Sequence, residues 1–550
     1  MPLRLCRPAC AMPAYHFATL SLLTLLSFAF FGTPSFAEEL GKLELVLTYG
    51  ESGLPRDNVF YTGEKVFATL RITGLGDERP YTGQIQVTGM VLDANGEEVL
   101  RVEKEPEYYS QVLGGDSIET TLIIDSDKKG IAPGNYTLVS TIQQMPAGRK
   151  WEVQTDFRWE TNPILHCCEF AWFLDRECKY PAAPVMQPGR FFWLRQRFGH
   201  FSFVDRSFSI QAQMKLVRRN NQPVKAEGGK GSYSFKIPPA SELPEWIWLP
   251  TFEQFTRPGN CRLSLDIADL LSGTEASTTL PVYVGKTPMP SVESNGDLKP
   301  FLALTHGKYG NEHDSDYLMG EDIWVTLGFI DKTRGGVTNQ KIHAYFLDQN
   351  NQVVSDFSLG EVEIRCGFHE RYFIKAINFA VNPDRGPVEP VRKVQIELHE
   401  TTTGAKTVLS APIRFLPMKE LAALNLRVSR DTHDKVPAGQ FLTAGQPYYL
   451  NCDITKFTVK DYAIDITHSV KAFTEDGQPI AGTELVLEHK RALSVAEKLN
   501  EQLPLGMQIS LNRPGKFLLR STFTDNLSGR TYTSDMPIEV VSPFQFVADE

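Results

Sequence analysis

The residues of this chain best suited to binding chemistry gather in one stretch. Arg190, Arg195, Arg197, Arg206, Arg218 and Arg219 interleave with Phe191, Phe192, Trp193, Phe198, Phe201 and Phe203. Further on, Trp246 and Trp248 stand two apart, with Pro244 before them and Pro250 after. Proline so placed marks a loop or an edge strand rather than a central one. Two residues apart on an extended strand point the same way, so Trp246 and Trp248 would form a flat platform suited to a sugar ring. Trp193, Arg195 and Arg197 would add the cations that grip an acidic polymer. The plainer reading, and the favoured one, is that these aromatics form a core and a domain junction, with the arginines solvated or paired. Charge still sets the stretch apart. Residues 185–287 hold 13 Lys and Arg against 8 Asp and Glu, whereas residues 38–160 hold 12 against 21, in a chain of net charge −10. Any ligand surface is therefore expected here or at the junction with the preceding segment.

Other candidate groups are sparser. Cys167, Cys168 and Cys178 cluster beside His166, and a local disulfide from Cys168 to Cys178 is the expected pairing; Cys167, Cys261, Cys366 and Cys452 are expected reduced and buried. No second Cys or His pair stands at ligand spacing, so no metal is expected. Asp314-Ser315-Asp316 and Asp125-Ser126-Asp127 supply too few oxygens for calcium and read as solvated turns. The sequence lacks Gly-x-Ser-x-Gly, His-Glu-x-x-His, a phosphate-binding Gly-Lys-Ser/Thr loop and Cys-x-x-Cys. The expectation is a protein that is not an enzyme and uses no cofactor. An acidic chain is also a poor partner for nucleic acid.

The elements that would position these residues repeat four times. Turn residues recur at Gly63, Gly96, Pro133 and Gly148; at Gly189, Asn221, Pro258 and Gly273; at Gly320, Asn351, Glu389 and Gly404; and at Gly445, Gly477, Pro514 and Gly529. The intervals are 33, 37 and 15, then 32, 37 and 15, then 31, 38 and 15, then 32, 37 and 15. Such regularity marks an array of one supersecondary design. Within a copy, alternating segments such as Val66–Ile72, Ile323–Phe329 and Tyr448–Ile454 read as strands. Asn95-Gly96 and Asp476-Gly477 read as tight hairpin turns, and Pro-Gly steps lead into further alternating strands. Short strands at regular intervals indicate Greek-key sandwiches. One helix is expected, over Arg491–Leu503.

The opening turns Tyr61-Thr62-Gly63-Glu64 and Tyr317-Leu318-Met319-Gly320-Glu321, the closing Pro-Gly-x-aromatic hairpin and the turn Asp525–Gly529 resemble bacterial immunoglobulin-like repeats. The pattern is similar to secreted multi-repeat proteins of planctomycete-type bacteria and, more distantly, to macroglobulin-type sandwich domains. The resemblance covers most of residues 40–541 and implies a fold, with no catalytic motif to carry over. The second copy departs most, since Gln187-Pro188-Gly189-Arg190 lacks the acidic residue.

The expected organisation is a signal peptide over 1–37, then immunoglobulin-like repeats at 40–160, 181–287, 298–417 and 420–541, with a Cys/aromatic linker at 161–180. Arg4 and Arg7, the apolar run Phe17–Phe31 and Ser35-Phe36-Ala37 carry the export reading. No spanning segment is expected in the mature chain. The function expected is an all-β, exported, non-catalytic structural or binding protein, secreted, periplasmic or at the cell surface, with a protein or polysaccharide partner. The alternative is carbohydrate or polyanion binding centred on the second repeat, as an accessory to an enzyme.

Overall fold

The strand Gly515–Asp525 shows why this chain builds sheets. Phe517, Leu519, Ser521, Phe523 and Asp525 are buried and the residues between them are not. A side-chain period of two is what a strand covered on one face requires. The same alternation runs through Gly134–Met145 and Gly259–Asp269. A computed structural model describes residues 41–549 apart from 62, 75–82, 110–111, 114–116, 126–130, 147, 162–164, 219–229, 240, 242, 244–245, 256–257, 287–298, 331–336, 366–371, 380–389, 419, 495–496 and 498–501. The proposed leader, Asn221, Glu389, Cys366, Ser126 and Asp127 lie outside the described residues, as do the side chains of Cys167, Cys168 and Trp246.

One topology recurs along the described chain. In the second copy a three-stranded sheet has the order His166–Phe173, Phe191–Gly199, Trp246–Gln254. It faces a five-stranded sheet in the order Val185–Met186, Glu275–Val284, Gly259–Asp269, Ser207–Arg218, Lys230–Lys236. The short strand pairs parallel with the last strand and all other neighbours pair antiparallel. The fourth copy repeats this plan, with Phe441–Thr443 parallel to Arg530–Val541. So do the first, with Val59–Tyr61 against Lys150–Glu160, and the third, with Asp316–Leu318 against Arg414–Leu416. Among the described residues, four large apolar clusters fill the spaces between the paired sheets, and a smaller one joins Val185 of the second copy to Phe441 and Val541 of the fourth. Phe517 is buried in the fourth, as its repeat position requires, and Cys261 at the matching position packs half-buried against the second.

The recurring glycines have a backbone cause. Gly63, Gly189, Gly320 and Gly445 all turn with φ between 77° and 92°, and Gly148, Gly273, Gly404 and Gly529 with φ between 71° and 75°. Glycine takes that left-handed conformation without a Cβ penalty, so the same turns force the same residue four times.

Two expectations are corrected. Residues 161–180 are not a linker, because His166–Phe173 is the first strand of the second sandwich. Arg491–Leu503 is not a continuous helix: Pro479–Ala492 and Gln502–Leu511 are strands. Ser494 and Glu497 do exchange capping hydrogen bonds. The local helix signal was therefore real, but pairing of Pro479–Ala492 with Ala463–Thr474 claims the start of the segment.

The four sandwiches do not form an open string. Lys42–Glu550 is one compact unit, and the fourth sandwich touches the other three. Val112–Leu113 of the first adds parallel to Ser510–Leu511 of the fourth. Ser117 Oγ donates to the Asn512 carbonyl, and Ser542 Oγ donates to Glu119 Oε1 at 2.7 Å. From the second sandwich, Gln187 accepts from Gln440 N and donates through Nε2 to the Tyr309 carbonyl of the third. The backbone N–H of Asp322, in the third, donates to Asn425 Oδ1 of the fourth at 2.8 Å.

Candidate functional site

The arginine-rich stretch separates into three groups once folded. Phe192 and Phe198 point into the second core, joined by Phe201 and Phe208, so the core reading holds for these rings. Trp151 and Trp159 belong to the first core, and Trp172 packs edge-on to Phe255 at 5.4 Å. Arg190 is buried at a junction. Its Nη1 donates to the Ala438 carbonyl at 2.7 Å and its Nη2 to the Pro437 carbonyl, and burial draws the guanidinium down to about 10. Arg206 donates to the carbonyls of Ile237, Pro238 and Ser241.

The third group lies on the outer face of the three-stranded sheet. Because Phe192, Leu194 and Phe198 fill the core, Trp193, Arg195 and Arg197 are on the opposite face of the same strand. The partner strand Trp246–Gln254 is at the sheet edge, as the prolines implied, and its register sets Trp248 opposite Arg197 and Pro250 opposite Arg195. The Trp248 ring is 40% exposed, with the Arg195 guanidinium 4.8 Å and that of Arg197 5.5 Å from its centre. Arg195 also lies 4.9 Å from the Phe173 ring. Trp248, Arg195 and Arg197 are thus brought together, with Trp193 and Arg195 half-buried and Arg197 buried. Trp246 follows the same strand opposite Gly199, but its side chain lies outside the described residues. The arrangement suits an anion or a sugar face, since cation–π contacts hold the guanidiniums in a fixed layer.

The expected disulfide is not made. Cys178 is a free thiol in the turn Asp175–Tyr180, with Sγ directed to the Arg176 carbonyl, whereas Cys168 is drawn into strand pairing opposite Arg197. Cys261 Sγ is directed to the Val282 carbonyl, and burial raises the Cys452 thiol far above its ordinary range. The described aspartates of the acidic turns have structural partners. Asp316 pairs with Arg414 and Asp125 with Lys65. Asp314 and Glu321 each stand 3.4 Å from His313, which stacks on Tyr317. Burial opposes a charge on His313, but these carboxylates overcome it and raise the imidazole to about 10. His468 is the opposite case: fully buried against Phe523, it is driven by desolvation to about 3 and stays neutral.

A second site went unread in the sequence. A cavity of about 290 Å³ lies between the third and fourth sandwiches. The third supplies Asp322 and Trp324, which flank the buried Ile323 where the strand Ile323–Ile330 begins. The fourth supplies Asn425, Arg427 and Asp453. Asn425 sits at a bulge between Leu424 and Arg427, with φ of 55°, and its Nδ2 donates to Asp453 Oδ2 at 3.1 Å. Arg427 bonds Asp434 and, at 3.4 Å, Asp453. Burial raises the Asp322 carboxyl against a hydrogen bond from Asn378. These residues lie about 100 positions apart in sequence, as the Asp322–Asn425 contact shows, so no local motif announces them.

No family model and no curated relative matches the sequence. Among solved structures, Escherichia coli α-2-macroglobulin activated by porcine elastase aligns over 91% of this chain and 44% of its own, with 11% identity and a TM-score of 0.15. Salmonella α-2-macroglobulin reacted with methylamine aligns over 91% and 40%, with 9% identity and a TM-score of 0.16. The C-terminal domain of the Streptococcus agalactiae AgI/II polypeptide BspA aligns over 44% of this chain and 100% of its own, with 9% identity and a TM-score of 0.17. The chain spans less than half the length of the macroglobulin chains it matches. Likeness at these TM-scores carries no argument about activity, and none of these matches bears on the resemblance to planctomycete-type repeat proteins. Among the described residues, no helix is long and apolar enough to cross a membrane.

Proposed function

We propose that this chain is an exported, non-catalytic binding scaffold of the surface or periplasmic kind, in which locked β-sandwiches hold recognition faces in fixed relation. The observation that carries this reading is the buried Arg190, spent on two main-chain carbonyls of another sandwich. A cation so used fixes orientation and performs no chemistry. Export rests on the basic and apolar start of the sequence, Arg4 to Phe31. Fractionating the native host tests it: the mature chain is expected outside the cytoplasm, and a cytoplasmic, uncleaved chain would overturn the reading.

A specific observation favours a second reading within the first. The exposed Trp248 ring, with the half-buried Arg195 guanidinium 4.8 Å from its centre, offers an aromatic face with one accessible cation to an acidic polysaccharide, while Arg197 is buried. In affinity gels containing an acidic polysaccharide the full chain is expected to be retarded, and Trp248→Ala with Arg195→Ala to lose most of that retardation. Equal mobility of wild type and variant would remove the face from the account.

A further inference from the structure

We infer that the cleft between the third and fourth sandwiches binds a single uncharged sugar ring, at a site separate from the Trp248 face and independent of it. The volume, about 290 Å³, lies at the small end of ligand pockets and admits one ring rather than a chain. Its chemistry is that of hydroxyl recognition. A carboxylate (Asp322), an amide (Asn425) and a guanidinium (Arg427) each present hydrogen-bonding atoms in a fixed plane, the geometry that meets neighbouring hydroxyls. Trp324 adds an aromatic surface for the C–H side of a ring.

Charge selects a neutral ligand. The lining holds three carboxylates, Asp322, Asp434 and Asp453, against three basic groups, Lys308, Arg427 and Lys435. His306 adds none, because burial and the neighbouring His313 hold it down near 3. Arg427 spends Nε on Asp434 and Nη1 on Asp453 and the Asn425 carbonyl, so its charge is balanced within the lining. The polar groups are also preorganised. Asp322 N–H holds Asn425 Oδ1, Asn378 Nδ2 holds Asp322 Oδ2, and the Asn425 carbonyl accepts from Arg427 Nη1 at 2.7 Å. Side chains fixed in this way lose little freedom on binding. Both sandwiches contribute, so an occupant would bridge them.

The test is calorimetric titration of the mature chain with glucose, galactose and N-acetylglucosamine, alongside glycine, glutamate and inorganic phosphate. At least one sugar is expected to saturate, with a dissociation constant on the order of 1 mM. Asp322→Asn, nearly isosteric and so expected to keep the fold, and Trp324→Ala should each weaken that sugar about tenfold. Trp248→Ala should leave it unchanged, which separates this site from the second-sandwich face. The inference is overturned if no sugar saturates, if binding survives in both cleft variants, if Trp248→Ala abolishes it, or if the amino acids or phosphate bind instead.

Discussion

The residue after the opening glycine differs between pairs of sandwiches. In the first and third it is Glu64 and Glu321, and each stays at home. Glu64 accepts from the Tyr61 N–H and pairs with Arg56, while Glu321 accepts from the Leu318 N–H and faces His313. In the second and fourth it is Arg190 and Gln446, and each reaches away. Arg190 holds two carbonyls of the fourth sandwich, and Gln446 Nε2 donates to Glu51 and Ser52 of the first. The backbone turn is the same in all four. What varies is whether the side chain finishes its own turn or reaches a neighbour. In an array built on one design, departure from the pattern therefore marks assembly before it marks ligand chemistry.

The strongest way to break this comparison is at the opening turn of the fourth sandwich. A Cβ on Gly445 would lie 2.3 Å from the Glu119 carbonyl oxygen of the first sandwich, at φ of 77°. Gly529 has a similar φ, 74°, and nothing nearby. Gly445→Ala should cost about 4 kcal/mol, strain and overpacking together, and Gly529→Ala about 1–2 kcal/mol from strain alone. Equal losses in chemical denaturation would show that the contact with the first sandwich contributes nothing.

Arg190→Ala comes next. It strands the buried Ala438 carbonyl and the part-buried Pro437 carbonyl and should cost about 3 kcal/mol. Hydrogen exchange should rise at the amides of Ala438–Gln440 in the fourth sandwich. Glu64→Ala should instead speed exchange only within the first. If Arg190→Ala raises exchange solely in the second sandwich, the arginine is not a clamp.

The smallest effect is pH-linked and sharpens the contact between first and fourth. Glu119 is buried beside Ser542, and desolvation raises its carboxyl to about 7 from 4.5 against the Ser542 hydrogen bond and Arg71, with Glu44 assisting. The folded state thus holds a proton that the unfolded state releases above pH 4.5. The stability this adds is complete below about pH 4.5 and is lost as pH rises through about 7, amounting to about 2–3 kcal/mol. Glu119→Gln should flatten that window in denaturation curves measured at each pH. An unchanged slope would mean that Glu119 is not the titrating group.

How much of this was legible follows from what each feature needs. The sandwiches were readable because glycine at positive φ and alternation along strands are local constraints, each written within a few residues. Arg195, Arg197 and Trp248 stood out in the sequence only as arginines interleaved with aromatics, and their register across the partner strand came only from folding. The role of Arg190 was visible only as an oddity, a basic residue where two other copies have Glu. The cleft was not visible at all: Asp322 and Asn425 meet through packing between sandwiches, and no periodicity encodes that. The helix over Arg491–Leu503 failed for a related reason, since Ser494 and Glu497 satisfy a local rule while sheet pairing claims the segment's ends.

The central claim is that the fourth sandwich closes the array by touching the other three, and solution X-ray scattering of the mature chain tests it most directly. The account predicts a profile that fits one closed body, with Arg190→Ala and Gly445→Ala each shifting it toward larger dimensions. A wild-type profile that fits four sandwiches strung end to end, unmoved by either substitution, would contradict it.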